Sequence, residues 1–278
     1  MGDTPSTRLT STNSSTTAAL SAYACETDRL LAFELFVLHG AIAMAKALDS
    51  TSTGRPTADA LAQFRKVLGP DGTRAPHPDE VLYSVHDSLI AEMFAARQVD
   101  NFLTYIVQLL TIVFAARPDL LRSQEQVRVD FVLSHPDRDS LVQALIERRV
   151  DRLAYLGMRD LEEDLQQRLG FALFRTPEDR ETAVNLIEIR NVIVHNRGIV
   201  SKIAANRCPR LAPDVGKRLS LTLDKMTDHR AFFGNLVREI DHRAITQFKL
   251  ESPSSTGSES NQPPNPPLQP TRSADVGD

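Results

Sequence analysis

Apolar residues recur at helical spacing through almost all of the middle of the chain. Residues 19–49 form one long apolar run with few breakers. "STGRP" (52–56) supplies loop residues, and "TADALAQFRKVLG" (57–69) reads as a short helix with a Thr cap and a closing Gly. "PDGTRAPHP" (70–78) is a break. Periodicity resumes over 79–116 and stops before Pro118, because a residue preceding proline is pushed out of the helical region. A further helix is predicted over 136–157, with Asp at its start and apolar Leu141, Leu145, Val150 and Leu153. Another follows over 158–171. The segment 176–196 opens with a Thr cap, a Pro at the first helical position and acidic residues in the first turn. "NRCPRLAPDVG" (206–216) reads as a loop, and a final helix spans about 222–249. "VRVDFV" (127–132) and "KRLSL" (217–221) alternate weakly, and two short isolated runs cannot support a sheet. The predicted fold class is all-α, a helical bundle.

The two ends of the chain differ in kind. Residues 1–18 are mostly Ser, Thr and Asn, and 251–278 are rich in Ser, Pro and Gly. Neither carries enough apolar surface to offset the entropy of ordering, so both are expected to be mobile tails. The expected organisation between them is a set of N-terminal helices (19–76) packed on a main helical domain (77–250).

"NLIEIRNVIVHNRGIV" (185–200) breaks the apolar pattern in an informative way. At about 100° per residue, Ala183, Leu186, Ile187, Ile189, Ile193 and Val194 share one broad face, with Arg190 in its middle. A buried guanidinium without a partner is very costly, so Arg190 requires a nearby carboxylate or bound anion. Glu188, Asn191 and His195 make a separate polar stripe, flanked by Val184 and Val192. The helix is thus apolar on nearly every side and should be central in the bundle. Arg190 and His195 stand roughly 140° apart on an ideal helix. They converge only if the arginine reaches round, the last turn distorts, or a second copy of the helix faces the first.

Composition adds limits. The chain has 278 residues, is 41% hydrophobic and 24% charged, and carries a net charge of −4. No global basic field marks a strong non-specific nucleic-acid binder, although a local basic site remains open. Cys25 and Cys208 make no disulfide framework and have no metal-ligand spacing, which suits a reducing cytoplasm. The N-terminus has no apolar signal-peptide core. Residues 101–116 are greasy but shorter than the ~20 residues a membrane-crossing helix needs. Residues 30–48 contain Glu34, His39 and Lys46. Both read as buried helices of a bundle, and no membrane partner is expected.

The residues "RNVIVH" (190–195) resemble the Arg–four residues–His signature of the HEPN superfamily, whose arginine is often followed by a polar residue such as Asn191. The likeness extends over roughly 79–250. "FLTYIVQLLTIVFAARPDLL" (102–121) is similar to that family's first long helix. "LIERRVDRLAYLGMRDLEEDLQQRLGF" (145–171) resembles its middle helices, and "EIRNVIVHNRGIV" (188–200) its motif helix and exit. A second loose match, Arg128 to His135, lacks the Asn and runs into Pro136. The resemblance implies a homodimeric helical bundle in which two motif helices form one composite site. It implies a metal-independent endoribonuclease, with no cofactor, in a bacterial defence or toxin–antitoxin role with an antitoxin or defence partner protein. Other members bind nucleotides or proteins without catalysis.

The residue types suit that chemistry. Attack by the RNA's own 2′-hydroxyl leaves a cyclic phosphate and needs proton transfer, which His195 can carry near neutral pH. Arg190 offers a planar fork to phosphate oxygens as charge gathers on them. Asn191 and Glu188 are the supporting residues. Glu188 can orient His195 or pair with Arg190. Arg197 and Lys202, just past the motif, are candidate phosphate contacts, and no metal-binding cluster stands out. The competing structural account is plain. Arg190 pairs within the bundle, His195 favours the negative end of the helix, and Asn196 or Gly198 closes it in a left-handed turn. Three classes therefore stand: an endoribonuclease, a non-catalytic module binding RNA or nucleotide, and a helical interaction protein.

Overall fold

The computed structural model describes residues 16–49, 87–122 and 126–250. The helix expected over 57–69, the breaks around it and the C-terminal tail lie outside the described residues, as do 79–86 at the start of the predicted 79–116 segment. Within them the chain is all-α. The helices are α1 (Ala18–Asp49), α2 (Asp87–Ala116), α3 (Val129–Leu133), α4 (Arg138–Ala154), α5 (Met158–Leu169), α6 (Pro177–Asn196), α7 (Lys202–Arg207) and α8 (Leu223–Phe248). Short 3₁₀ turns cover Pro118–Leu121 and Pro209–Asp214. The predicted 206–216 loop is therefore partly helical. α7 is only six residues long and Pro209 follows it, too little for a periodic pattern to register. "VRVDFV" ends in the short helix α3. "KRLSL" contributes one isolated antiparallel bridge, Ile199 with Arg218.

α2 is the hub, and α1, α4, α6 and α8 all pack on it. Its buried side chains, among them Val99, Phe102, Tyr105, Ile106, Leu109 and Val113, run along the core. Burying each such side chain contributes about 1.5–3 kcal/mol. Phe102 stacks on Phe233 of α8 at 4.8 Å between ring centroids. The greasy 101–116 stretch proves to be the end of a longer helix. Leu89–Ala116 is long and apolar enough to cross a membrane by length and composition alone, and half of its most apolar window is buried against the other helices.

Local signals place the helix ends. Asp137 caps α4 by accepting from the Ser140 N–H at 2.7 Å, and that bond holds its carboxyl below the ordinary range. Gly170 closes α5 at φ 62°, a left-handed position that glycine fills without steric cost. The first helix begins earlier than the sequence suggests. Thr17, assigned to the tail, is buried and caps α1, its Oγ1 accepting from the Leu20 N–H at 3.1 Å. Its own N–H donates to Asp241 Oδ2 of α8 at 3.1 Å, and its hydroxyl donates to Asp241 Oδ1. α1 then feeds Ala19 and Tyr23 into the same core as α2 and α8. Cys208 is buried and Cys25 exposed, and both are free thiols.

Candidate functional site: the motif helix and its exit

The start of α6 follows its sequence signals. Thr176 Oγ1 accepts from the Asp179 N–H at 3.1 Å, Pro177 opens the helix, and Glu178 and Asp179 occupy the first turn. Ala183, Val184, Asn185, Leu186 and Val192 are buried. Asn185 is held by the Cys208 thiol, which donates to its Oδ1 at 3.0 Å. Burial pushes that thiol's pKa up, which keeps the donor protonated.

Arg190 has the carboxylate its position demands, and it is Asp100 of α2. Arg190 Nε donates to Asp100 Oδ1 at 2.8 Å, and Nη2 lies 2.8 Å from the same oxygen. Nη1 donates to Asn191 Oδ1 at 3.3 Å. The Arg190 side chain remains 24% exposed, so part of its five-donor fork faces outward. Glu188, expected to pair with Arg190 or orient His195, does neither. It lies 3.8 Å from Arg207 of α7. The physical reason is direction: Glu188 projects toward α7, whereas Arg190 projects toward α2.

His195 is exposed and makes no hydrogen bond or ion pair with another described residue. Within one chain the structure does not join it to Arg190. The helix ends just beyond it, with Arg197 at φ 53° and Gly198 at φ 76°. The left-handed positions are thus Arg197 and Gly198, and Asn196 stays helical. Arg197 and Lys202 are both exposed and have no ion-pair partner among the described residues. Around them Val194, Ile199 and Ile203 are exposed as well, Ile203 at 67%. The second Arg-to-His match is built differently. Arg128 forms an exposed two-pronged pair with Asp130, and His135 Nδ1 sits 2.8 Å from the Phe131 carbonyl.

A feature the sequence reading missed pins this exit to the hub. Glu92 of α2 is buried and takes both prongs of Arg218, at 3.0 and 2.7 Å. Gly198 sits directly over it. The backbone on either side is clipped by Leu219 N–H to Gly198 O at 2.8 Å and Val200 N–H to Lys217 O at 2.9 Å. A signal was available. Glu92 and Asp100 are carboxylates set within the apolar run of α2, the same anomaly that marks Arg190 in α6. Replacing Gly198 by Ala would put a Cβ 3.1 Å from Glu92 Oε1 at a positive φ. The expected loss is about 2 kcal/mol, combining the left-handed penalty with displacement of the Glu92–Arg218 pair. Chemical denaturation of the folded variant measures it.

Among the described residues no three His, Cys, Asp or Glu side chains gather closely enough to hold a metal ion. No protein-family profile, curated protein or solved structure significantly matches this chain.

Proposed function

We propose that this chain is a HEPN-like, metal-independent endoribonuclease that works as a homodimer, with Arg190 and His195 as its catalytic pair. The observation that carries the reading is the exit of α6. There His195, without a partner among the described residues, lies with Arg197 and Lys202 among exposed Val194, Ile199 and Ile203. A histidine free of partners can exchange protons, and loose cations beside it can hold a phosphate. Exposed apolar side chains around it are what a second copy would cover. Arg190 and His195 diverge on one helix, so a composite site needs the partner's helix to supply one of them. Asn191 holds Arg190 at Nη1, and Asp100 holds the other side of the fork. A bacterial defence or toxin–antitoxin setting, cytoplasmic location and a protein antitoxin belong to the same proposal.

One observation favours a second reading. The Arg190–Asp100 pair satisfies the arginine internally, as in a non-catalytic module that binds RNA or nucleotide, or a partner protein.

The deciding experiment incubates the purified chain with RNA in EDTA while light scattering follows its mass. Cleavage leaving cyclic phosphate ends, from a dimer at micromolar concentration, is the expected result. Intact RNA, or cleavage that requires an added divalent ion, overturns the catalytic reading. A strictly monomeric mass overturns the composite site.

A further inference from the structure

We propose that α3 and the arginine-lined cleft beside it form a docking surface for an anionic phospholipid bilayer. This inference is independent of the catalytic reading, because it involves neither α6 nor its exit. α3 is five residues long and none of its residues is buried. At about 100° per residue, Val132, Val129 and Leu133 fall within an arc of about 100°. Phe131 points roughly the opposite way, toward the bundle, where the Arg148 guanidinium of α4 stands 6.0 Å from its ring centroid. The three aliphatic side chains therefore face outward, with Val129 at 71% and Leu133 at 78% exposure, and exposed Val127 precedes them. Exposed apolar side chains gathered in one place mark a contact surface. A surface helix that projects separate aliphatic side chains offers no groove of its own to a peptide. It suits a soft apolar phase that closes around each side chain.

Charge supplies the other half of the surface. A cleft of about 370 Å³ beside α4 is lined by Arg122, Arg148, Arg149 and Arg152, with no carboxylate among its described lining residues. Val127 belongs both to this cleft and to the apolar stretch. Arg149 is paired with Asp164 of α5. Arg122 and Arg148 are exposed, and neither side chain has an ion-pair partner among the described residues. Asp119, one turn before Arg122, already takes both prongs of Arg117. Arg128 and Asp130 cancel each other in the same way. Two guanidiniums thus remain uncompensated beside the aliphatic face of α3.

A guanidinium fork matches phosphate oxygens, and its aliphatic stem can lie along apolar surface while the charged head stays at the headgroup level. Phosphodiester headgroups above an acyl layer meet both halves at once. The phosphates take Arg122 and Arg148, and Val129, Val132 and Leu133 enter the apolar edge. A free phosphate ion leaves the aliphatic side chains uncovered, and a neutral bilayer leaves the guanidiniums unmatched. The chain's net charge of −4 does not oppose docking, because the surface potential of a bilayer acts only within about a Debye length. The expectation of no membrane partner concerned helices that cross a bilayer, and attachment at its surface needs none.

Flotation of the full chain with vesicles tests this. One set is pure phosphatidylcholine and the other is equal parts phosphatidylcholine and phosphatidylglycerol. The chain should float with the mixed vesicles, stay behind with the neutral ones, and be released as salt is raised. Arg122→Gln and Arg148→Gln should each weaken vesicle binding about fivefold. A chain carrying both Val129→Ser and Leu133→Ser should bind about tenfold or more weakly. All four positions are exposed, and circular dichroism checks that each variant keeps its fold. No flotation with mixed vesicles, or equal flotation with neutral ones, overturns the proposal. So does unchanged binding in both arginine variants, or in the Val129→Ser, Leu133→Ser chain. If that chain instead loses mass by light scattering, a second copy covers α3 and the proposal fails. A chain that ignores the vesicles yet binds poly-glutamate through Arg148 makes the occupant an acidic polypeptide and overturns it too.

Discussion

His195→Ala should lower RNA cleavage by about 10²–10⁴-fold, the usual contribution of a positioned proton-transfer group. Stability should hardly change, because His195 is exposed and bonded to no described residue. RNA binding should survive for the same reason. Arg190→Ala should also abolish cleavage, by a different route. It removes a phosphate contact and so weakens both binding and transition-state stabilisation. It also strands Asp100, which is one-third exposed and so keeps water; the structural cost should be near 1 kcal/mol. Arg190→Lys should be poor as well, since an ammonium cannot reproduce the two-pronged contact. Asp100→Asn separates the two roles of Arg190. It loosens the arginine without removing it, so a catalytic Arg190 leaves this variant active while a purely structural one leaves it no different from Arg190→Ala. Mixing Arg190→Ala with His195→Ala protomers should restore part of the activity if the two residues act from opposite chains. Full activity in either folded single variant, read by gel-resolved RNA cleavage with circular dichroism as the control, eliminates the catalytic pair.

These variants also show where sequence reasoning reaches its limit. Helical periodicity placed the long helices because each presents a continuous apolar face to α2. The caps at Thr176 and Asp137 were legible because a cap is a contact within four residues. The need for a carboxylate beside Arg190 was legible too, from the cost of burying charge. Its identity was not, because Asp100 lies 90 positions away. Glu92 and Arg218 are separated by 126 positions, and only the packing of α6 against α2 brings them under Gly198. The direction of Glu188 was misjudged because a helical wheel gives an angle but not the neighbour at that angle. α7 offers that neighbour, and its six residues hide inside a Pro-bearing stretch that reads as loop. The exposure of His195 follows from where the helix stops relative to the core, which no local pattern encodes.

The largest stability effect should come from Asp241→Ala. Asp241 is 1% exposed and accepts three hydrogen bonds: the Thr17 N–H, the Thr17 hydroxyl and the Tyr105 hydroxyl at 3.4 Å. Alanine would leave the Thr17 N–H and hydroxyl at the joint of α1, α2 and α8 without that acceptor, whereas the Tyr105 hydroxyl keeps the Val237 carbonyl at 3.3 Å. Each stranded donor costs about 1–3 kcal/mol, and the Thr17 hydroxyl can partly turn elsewhere, so a loss of about 3 kcal/mol is expected. For a chain of this size that corresponds to a fall in melting temperature of roughly 6–12 °C. Asp241→Asn should cost less, because its amide oxygen can still accept from the Thr17 N–H while both hydroxyls rotate to accept from its NH₂. Tyr105 adds a pH signature. Its burial, and next the Asp241 carboxylate beside it, push the phenol's pKa well above the ordinary value. The folded chain therefore keeps this proton while the unfolded chain loses it above about pH 10, so stability should fall as pH rises through that point. Tyr105→Phe should flatten that alkaline fall while sacrificing only one hydrogen bond. Urea denaturation at neutral pH and above pH 10 measures both effects. An Asp241→Ala chain as stable as the wild type would mean that α1 is not anchored through Thr17.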